Sequence, residues 1–393
     1  MSMVLYYARV FTPTEILEDA SVVVSEEGQI TYVGSMENAP RVDGKRIDVR
    51  GRIVVPGFVD VHVHGGHGVN FYADLDSGAD VSRNLETYSE WVTSTGVTGF
   101  LCSIAAPNAQ SLTELVGFFA DALDAGAGGA EALGLHLEGP FLNCEKKGAF
   151  DSAWLRQPAV EEAEAVLEAG RGWIRQVSLA PELPGAGEVA ALFRGAGVVV
   201  SLGHTNADYE TTGAGLRGNF THVTHTFNAQ RGFHHREPGV IGAVMASDEV
   251  TAELIADTIH VHPGAMKMLI RCLGTGRVVL ITDANAAAGL PDGTYEIGGR
   301  TRIVKDGRST LPDGTLAGST ATLNRCVRNV NREVGVSLVE AVKMASLNPA
   351  RAMGFADRLG SIAVGKDANL AVIDEDVNVY MTLVRGEVVY SSL

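Results

Sequence analysis

The sequence predicts an α/β fold: a closed (β/α)8 barrel of the TIM type over residues 56–355, with a small β domain built from residues 1–55 and 356–393. Three observations carry this reading. Apolar runs of strand length recur eight times, at 58–63, 98–103, 133–138, 174–179, 198–202, 220–224, 251–256 and 277–282. Stretches of helix length lie between them, at 81–94, 110–125, 159–170, 186–195, 206–217 and 263–273. Strands alternating with helices imply right-handed crossovers and a parallel sheet, and eight parallel strands are the number that closes a barrel. Finally, both chain ends share a texture of short strands and turns, too little at either end for a separate core. Because termini often lie close together, the two ends are expected to join.

The elements follow in order. Residues 21–24, 30–34 and 52–55 read as strands, the last stopped by Pro56-Gly57. The barrel units come next, with the Ala- and Gly-rich stretch 121–132 as a helix end and loop. Residues 294–310 read as a hairpin inserted after the eighth strand, and 368–373 and 380–384 as the returning strands of the β domain. A chain of 393 residues, 46% apolar and 20% charged, has ample material for this plan. The net charge of −16, with no basic run, argues against nucleic-acid and anionic-membrane partners. The N-terminal residues lack the pattern of a signal peptide, and no apolar run approaches the ~20 residues that span a bilayer. Four scattered cysteines without paired spacing fit a reducing, cytoplasmic setting.

The polar residues that close these runs carry the chemistry. In Phe58-Val59-Asp60-Val61-His62-Val63-His64 the alternation puts both imidazoles on one side of a strand, followed by the flexible Gly65-Gly66. That is half a site for a borderline-soft divalent cation. Glu138 closes Leu133-Gly134-Leu135-His136-Leu137-Glu138, where a carboxylate is costly unless it is paired or bound to a cation. It would bridge two ions if two bind. His204 and His225 each follow a strand and precede a polar turn. With Glu138 they make three ligands and leave a position open, the pattern of catalytic zinc, although Fe, Co or Mn would also suit. His136 reads as an inner-layer residue. His222, three before His225, would face the opposite way on a strand, and His234, His235 and His262 read as loop residues. Asp283 after the eighth strand is placed for general acid/base work, and His260 after the seventh could polarise a carbonyl. Arg236 is either a solvated loop residue or a phosphate contact. The sequence contains no phosphate-binding P-loop, nucleophile elbow or dinucleotide fingerprint.

These motifs resemble those of the N-acetylglucosamine-6-phosphate deacetylases of the amidohydrolase superfamily, over residues 1 to about 390. The likeness rests on Pro56-Gly57-Phe58-Val59-Asp60, Leu135-His136-Leu137-Glu138-Gly139-Pro140-Phe141, Lys146-Lys147-Gly148, Gly203-His204-Thr205-Asn206-Ala207 and Thr224-His225-Thr226-Phe227-Asn228-Ala229. It extends to Arg236-Glu237-Pro238-Gly239, Thr282-Asp283-Ala284, Leu316-Ala317-Gly318-Ser319 and Asn348-Pro349-Ala350-Arg351. The resemblance implies that Glu138, His204 and His225 hold the main metal, with a second metal at His62 and His64. It makes Asp283 the catalytic acid/base. It puts Asn228, Ala229 and the strip Leu316, Ala317 and Gly318 against the substrate, and His260 at the acetamido carbonyl. Arg236 matches an arginine that meets the sugar phosphate across a homodimer interface. Phe150 stands where family members carry a sugar-contacting histidine, and Thr258 where they carry glycine. The expected activity is hydrolysis of the acetamide of N-acetyl-D-glucosamine 6-phosphate, in amino-sugar catabolism or recycling. The alternatives are a deacetylase for another N-acyl amino sugar, galacto or unphosphorylated, a cyclic-amide hydrolase, and an inactive binding scaffold.

Overall fold

The computed structural model describes residues 2–72, 75 and 77–393. Eight strands, Phe58–Val63, Val97–Ile104, Glu131–Glu138, Ile174–Leu179, Val199–Leu202, His222–Val223, Thr251–Ile255 and Val278–Ile281, pair in parallel in sequence order. Most of their residues are buried, as a parallel sheet covered by helices requires. The first and eighth strands share no ladder. Their seam is closed at the carboxyl end, where Asp283 N donates to the His62 carbonyl at 2.9 Å and His64 N to that of Ala284 at 2.8 Å. The stitches that shut the barrel are therefore made by the same residues that carry its polar side chains.

Helices Gly78–Val92, Ala109–Ala125, Val160–Gly170, Ala186–Gly195, Tyr209–Arg217, Gly239–Met245, Pro263–Leu273 and Leu323–Asn329 surround the barrel. Several begin where a side chain accepts an otherwise unpaired backbone N–H, as Asn108 does from Ser111 and Asp208 from Thr211. The sixth strand is shorter than expected, two residues instead of five, because the chain leaves the sheet at Thr224 and turns. Helices at Gly239–Met245, Leu323–Asn329, Leu338–Ala345 and Leu347–Ala352 fell outside the sequence expectation. The first of these is apolar on all sides, so it carries no 3.6-residue period.

The sheet at the chain ends runs in the order Glu387–Ser391, Val379–Val384, Leu370–Ile373, Ile53–Pro56, Met3–Phe11, Ile16–Val24, Ile30–Ser35, with Lys45–Asp48 also on Met3–Phe11. The seam between the ends is the antiparallel pair Leu370–Ile373 with Ile53–Pro56. Val10, Val22, Val54, Leu370, Val372 and Leu383 fill its core. Strand Met3–Phe11 was not anticipated from sequence. The insertion after the eighth strand is a three-stranded sheet, Gly293–Ile297, Arg300–Lys305 and Arg308–Thr310, rather than a two-stranded hairpin. Gly65 and Gly66, read as flexible, are instead paired with Val69–Asn70, and a Cβ on Gly66 would run into the Trp91 ring. Cys102, Cys144, Cys272 and Cys326 are all free thiols. No helix among the described residues is long and apolar enough to cross a membrane.

Candidate active site

The barrel interior beneath the carboxyl ends is polar, which is uncommon for a layer normally filled by branched apolar side chains. His136 is buried there, with Nδ1 2.9 Å from Ser103 Oγ and Nε2 2.8 Å from Ser178 Oγ. Thr224 Oγ1 joins Ser178 and Ser201, each at 2.6 Å. Glu253, wholly buried mid-strand, accepts from His62 Nδ1 at 2.9 Å, Gln176 Nε2 at 2.7 Å, His222 Nε2 at 3.2 Å and the His225 backbone N–H at 2.9 Å. Burial alone would raise this carboxyl, but the His62 charge and the imidazole hydrogen bonds hold it well below the ordinary range. His222 thus lies inside the barrel, turned away from the cation ligands. The reason is a turn rather than strand alternation: His225 has left the strand with φ +27°.

Above this layer the expected ligands converge. His62 Nε2 and His64 Nε2 are 3.4 Å apart. His204 Nε2 and His225 Nε2 are 3.0 Å apart, at 3.2 and 3.0 Å from Glu138 Oε1, while Glu138 Oε2 is 2.9 Å from His64 Nε2. Oε1 is also 3.4 Å from His62 Nε2, so it meets three imidazoles, and the carboxylate as a whole lies between two groups, His62 with His64 and His204 with His225. The ring nitrogens on the far side identify the tautomers. His204 Nδ1 lies 2.7 Å from the Lys146 carbonyl and His64 Nδ1 3.1 Å from that of Ser103, so both must donate there. In the neutral rings the Nε2 lone pairs are then turned inward. Such a cluster of converging lone pairs and a carboxylate fits a divalent cation. Burial alone would lower His64, but Asp283 and Glu138 raise it to about 9, so cation uptake at these nitrogens is coupled to proton release.

Several residues of the site, the expected ligands His204 and His225 among them, have backbone that L-residues seldom adopt. His204, His225, Ala229, Thr258 and Asp283 have φ of +47°, +27°, +50°, +67° and +48°. Strain of this kind persists only where the surroundings over-determine it. Thr258, at a position with left-handed φ, is the residue for which glycine would be the unstrained choice. The Lys146-Lys147-Gly148 segment folds over His204, and Phe150 meets the His204 ring edge-on at 5.3 Å. Asp283 Oδ1 stands 3.4 Å from His64 Nε2 and 3.7 Å from His62 Nε2, with its carbonyl accepting from Ser319 N at 2.7 Å. That last bond stitches the Leu316, Ala317 and Gly318 strip alongside Asp283. Asp257 Oδ2 accepts from His260 Nδ1 at 2.7 Å and Oδ1 from the His260 backbone.

A cavity of about 290 Å³ opens over this cluster, and its walls include Phe150, Asn228, Ala229, His260, Leu316, Ala317 and Gly318. Arg236 is exposed on its loop and does not line the cavity; it contacts His235 Nε2 at 2.8 Å. His262 caps helix Pro263–Leu273.

Sequence reasoning missed Glu253, Asp257, Tyr72, Arg300 and Arg302. The signal for Glu253 was present: a lone carboxylate in Thr251-Ala252-Glu253-Leu254-Ile255 is as costly as Glu138 in its strand. Glu253→Gln keeps the volume but weakens the acceptor for His62 Nδ1–H. Cation affinity is expected to fall by about 10- to 100-fold, the range for residues that orient metal ligands. Equilibrium titration with zinc, read by competition with a chromogenic chelator, checks it; unchanged affinity removes the orienting role.

Residues 53–389 match the sequence profile of the amidohydrolase family. The chain belongs to that family. This amidohydrolase is 36% identical over 375 residues to the N-acetylglucosamine-6-phosphate deacetylase of Vibrio furnissii, covering 95% of this chain and 92% of the relative. It is 35% identical over 335 residues to an N-acetylgalactosamine-6-phosphate deacetylase of Escherichia coli O157:H7, covering 85% and 87%. It superposes with a TM-score of 0.89, at 34% identity and 99% and 100% coverage, on a variant of the Mycobacterium smegmatis N-acetyl-D-glucosamine-6-phosphate deacetylase in complex with N-acetyl-D-glucosamine-6-phosphate.

Proposed function

We propose that this amidohydrolase hydrolyses the acetamide of N-acetyl-D-glucosamine 6-phosphate to glucosamine 6-phosphate and acetate, in amino-sugar catabolism or recycling. The observation that carries the reading is the junction, in one cavity, of the Glu138, His204 and His225 cluster with Asp283 and the Asp257-held His260. Full-length relatives of that name support the substrate. Glu138, His204 and His225 would hold the main cation, and His62 and His64 with Glu138 a second. Zinc is the best match to nitrogen and carboxylate donors. The bound cation supplies Lewis acidity for the amide and for the attacking water.

The chain's own groups do the rest. Asp283 takes the proton of the attacking water and returns it to the leaving nitrogen. Burial lowers the His260 pKa, and the Asp257 carboxylate more than offsets this, so the imidazole is protonated more readily than usual. With Nδ1 donating to Asp257, a protonated His260 presents Nε2–H to the developing oxyanion. Asn228, Ala229 and the Leu316, Ala317 and Gly318 strip bound the sugar. Arg236, exposed beside Phe233, which is 58% exposed, is suited to reach the phosphate in a partner's cavity within a homodimer. Four free thiols suit a cytoplasmic location.

A second reading, a preference for the galacto isomer, is favoured by Phe150, which offers a π-face where family members offer an imidazole. Acetate release from N-acetylglucosamine and N-acetylgalactosamine, each with and without 6-phosphate, separates the readings. We expect kcat/KM to be highest for N-acetylglucosamine 6-phosphate. Arg236→Ala should raise KM for phosphorylated sugars only, and Arg236→Lys should rescue part, because lysine keeps the charge without the fork. Equal kcat/KM with and without phosphate would overturn the phosphosugar reading.

A further inference from the structure

The cavity holds positive charge that neither the cation cluster nor Arg236 accounts for. The inserted three-stranded sheet contributes Arg300 and Arg302 to the cavity wall. Strand alternation puts Arg300, Arg302 and Val304 on one face, and it is the covered one: Arg302 and Val304 are each 4% exposed, against 40% for Ile303. A guanidinium taken this far out of water normally carries a carboxylate with it. Among the described residues, neither arginine forms an ion pair. Arg302 has a long contact of 3.4 Å to the Thr301 carbonyl and lies beside the Tyr72 phenol, while its Nε is buried without a partner. Arg300 donates to the Ala149 carbonyl at 2.6 Å, next to Phe150, and is otherwise directed along the same wall. Tyr72 in turn stands edge-on to His64, ring centres 5.5 Å apart. A line of groups thus runs from His64 through a phenol to a buried guanidinium whose Nε has no partner.

The acidic groups of the cavity do not neutralise it. Glu138 and Asp283 face the imidazoles, within 3.4 Å of His64 Nε2, and Asp151, exposed at the cavity wall, accepts from the Ala153 backbone. In a chain of net charge −16, two arginines without an ion-pair partner among the described residues make this one wall of the cavity locally cationic. The planar fork of arginine matches the oxygens of a phosphate or carboxylate.

We infer that Arg302, with Arg300 beside it, is an oxyanion-binding wall supplied within the chain itself, which takes the substrate phosphate or the carboxylate that hydrolysis releases. The inference rests on the deacetylase reading and deepens it. Arg302 acts here in specificity and affinity; the proton steps remain with Asp283 and His260.

Steady-state kinetics of Arg302→Gln, Arg302→Lys and Arg300→Gln on N-acetylglucosamine 6-phosphate and on N-acetylglucosamine test it, together with inhibition by inorganic phosphate and by acetate. If the phosphate is the ligand, Arg302→Gln raises KM for the phosphorylated sugar by roughly 10- to 100-fold, as expected for a lost charged hydrogen bond, and weakens inhibition by phosphate alike. Arg302→Lys recovers part of the effect, and KM for the unphosphorylated sugar stays within a factor of about two. If the released carboxylate is the ligand, KM values hold and inhibition by acetate weakens instead. Arg300→Gln, at a half-exposed position, repeats the comparison without leaving a hole in the buried layer. Unchanged KM ratios together with unchanged inhibition by both ions in folded variants overturn the proposal. A wild-type protein that deacetylates no N-acetyl sugar would remove the deacetylase reading alone. The rise in Tm with inorganic phosphate or acetate, and its loss in Arg302→Gln, would then still decide for or against the arginine wall.

Discussion

Asp283→Asn is expected to lower kcat by about 10²- to 10⁴-fold, the range for a positioned acid/base, while fold and cation content stay at wild-type level. The substitution is close to isosteric. Asparagine is also among the few residues that tolerate the left-handed backbone found here, φ +48°. The backbone bonds to His62 and Ser319 do not involve the side chain and should survive. What is lost is basicity. Burial pushes the Asp283 carboxyl up, but the hydrogen bond from His64 and the imidazole charges of His62 and His64 outweigh it and hold the group below its ordinary value. The carboxylate is therefore ionised through the neutral range and ready to accept a proton; an amide is not. Initial rates of acetate release at saturating zinc, with metal content measured on the same samples, check this. Turnover within a factor of about ten of wild type would mean that another group is the base.

Much of this architecture was legible because its signals are local. A parallel barrel strand is buried on both faces, so it announces itself as a short apolar run. The residue that ends the run stands at the carboxyl rim where ligands bind, so His64, Glu138, His204, His225 and Asp283 could be found by position alone. Glu138, His204 and His225 meet in one cluster, with His62 and His64 grouped around the same carboxylate. The missed features are non-local. Glu253 sits mid-strand, and its meaning appears only when His62, Gln176 and His222, from three other strands, are seen around it. Arg300 and Arg302 lie on an insertion whose pairing says nothing about which barrel mouth it covers. His222–Val223 is too short for period-two reasoning, and Gly239–Met245 is too uniformly apolar for a helical period. Sequence reasoning thus reached the rim residues that meet in the cluster and stopped at the polar layer beneath them.

Removing Glu138 should have the largest effect on the site, because this one carboxylate faces both groups of imidazoles. Glu138→Ala leaves His204 and His225 converging without the carboxylate they share, and Asp283 as the remaining carboxylate at His62 Nε2 and His64 Nε2. Cation content and activity are expected to fall together, to background in a chelator-washed preparation. The side-chain oxygens have different imidazole contacts, Oε1 with His204, His225 and, at 3.4 Å, His62, and Oε2 with His64. Glu138→Gln separates charge from shape: it keeps one oxygen acceptor and the volume, but replaces the other oxygen with a donor. That amide N–H₂ can face only one of the two groups. Metal analysis of Glu138→Gln should therefore give at most one ion per chain, wherever the wild type gives two. Burial alone would raise the Glu138 pKa, but the His62 charge and the hydrogen bonds with His204, His225 and His62 hold it well below the carboxylate range, so the anion persists to low pH. Loss of cation in the wild type on acidification should then follow protonation of the imidazoles rather than of Glu138. Equilibrium dialysis against zinc from about pH 5 up to the value of about 9 to which His64 is raised measures this directly. Full metal content in an inactive Glu138→Ala variant would sink the assignment of Glu138 as a ligand and leave it a purely structural carboxylate beneath the cavity.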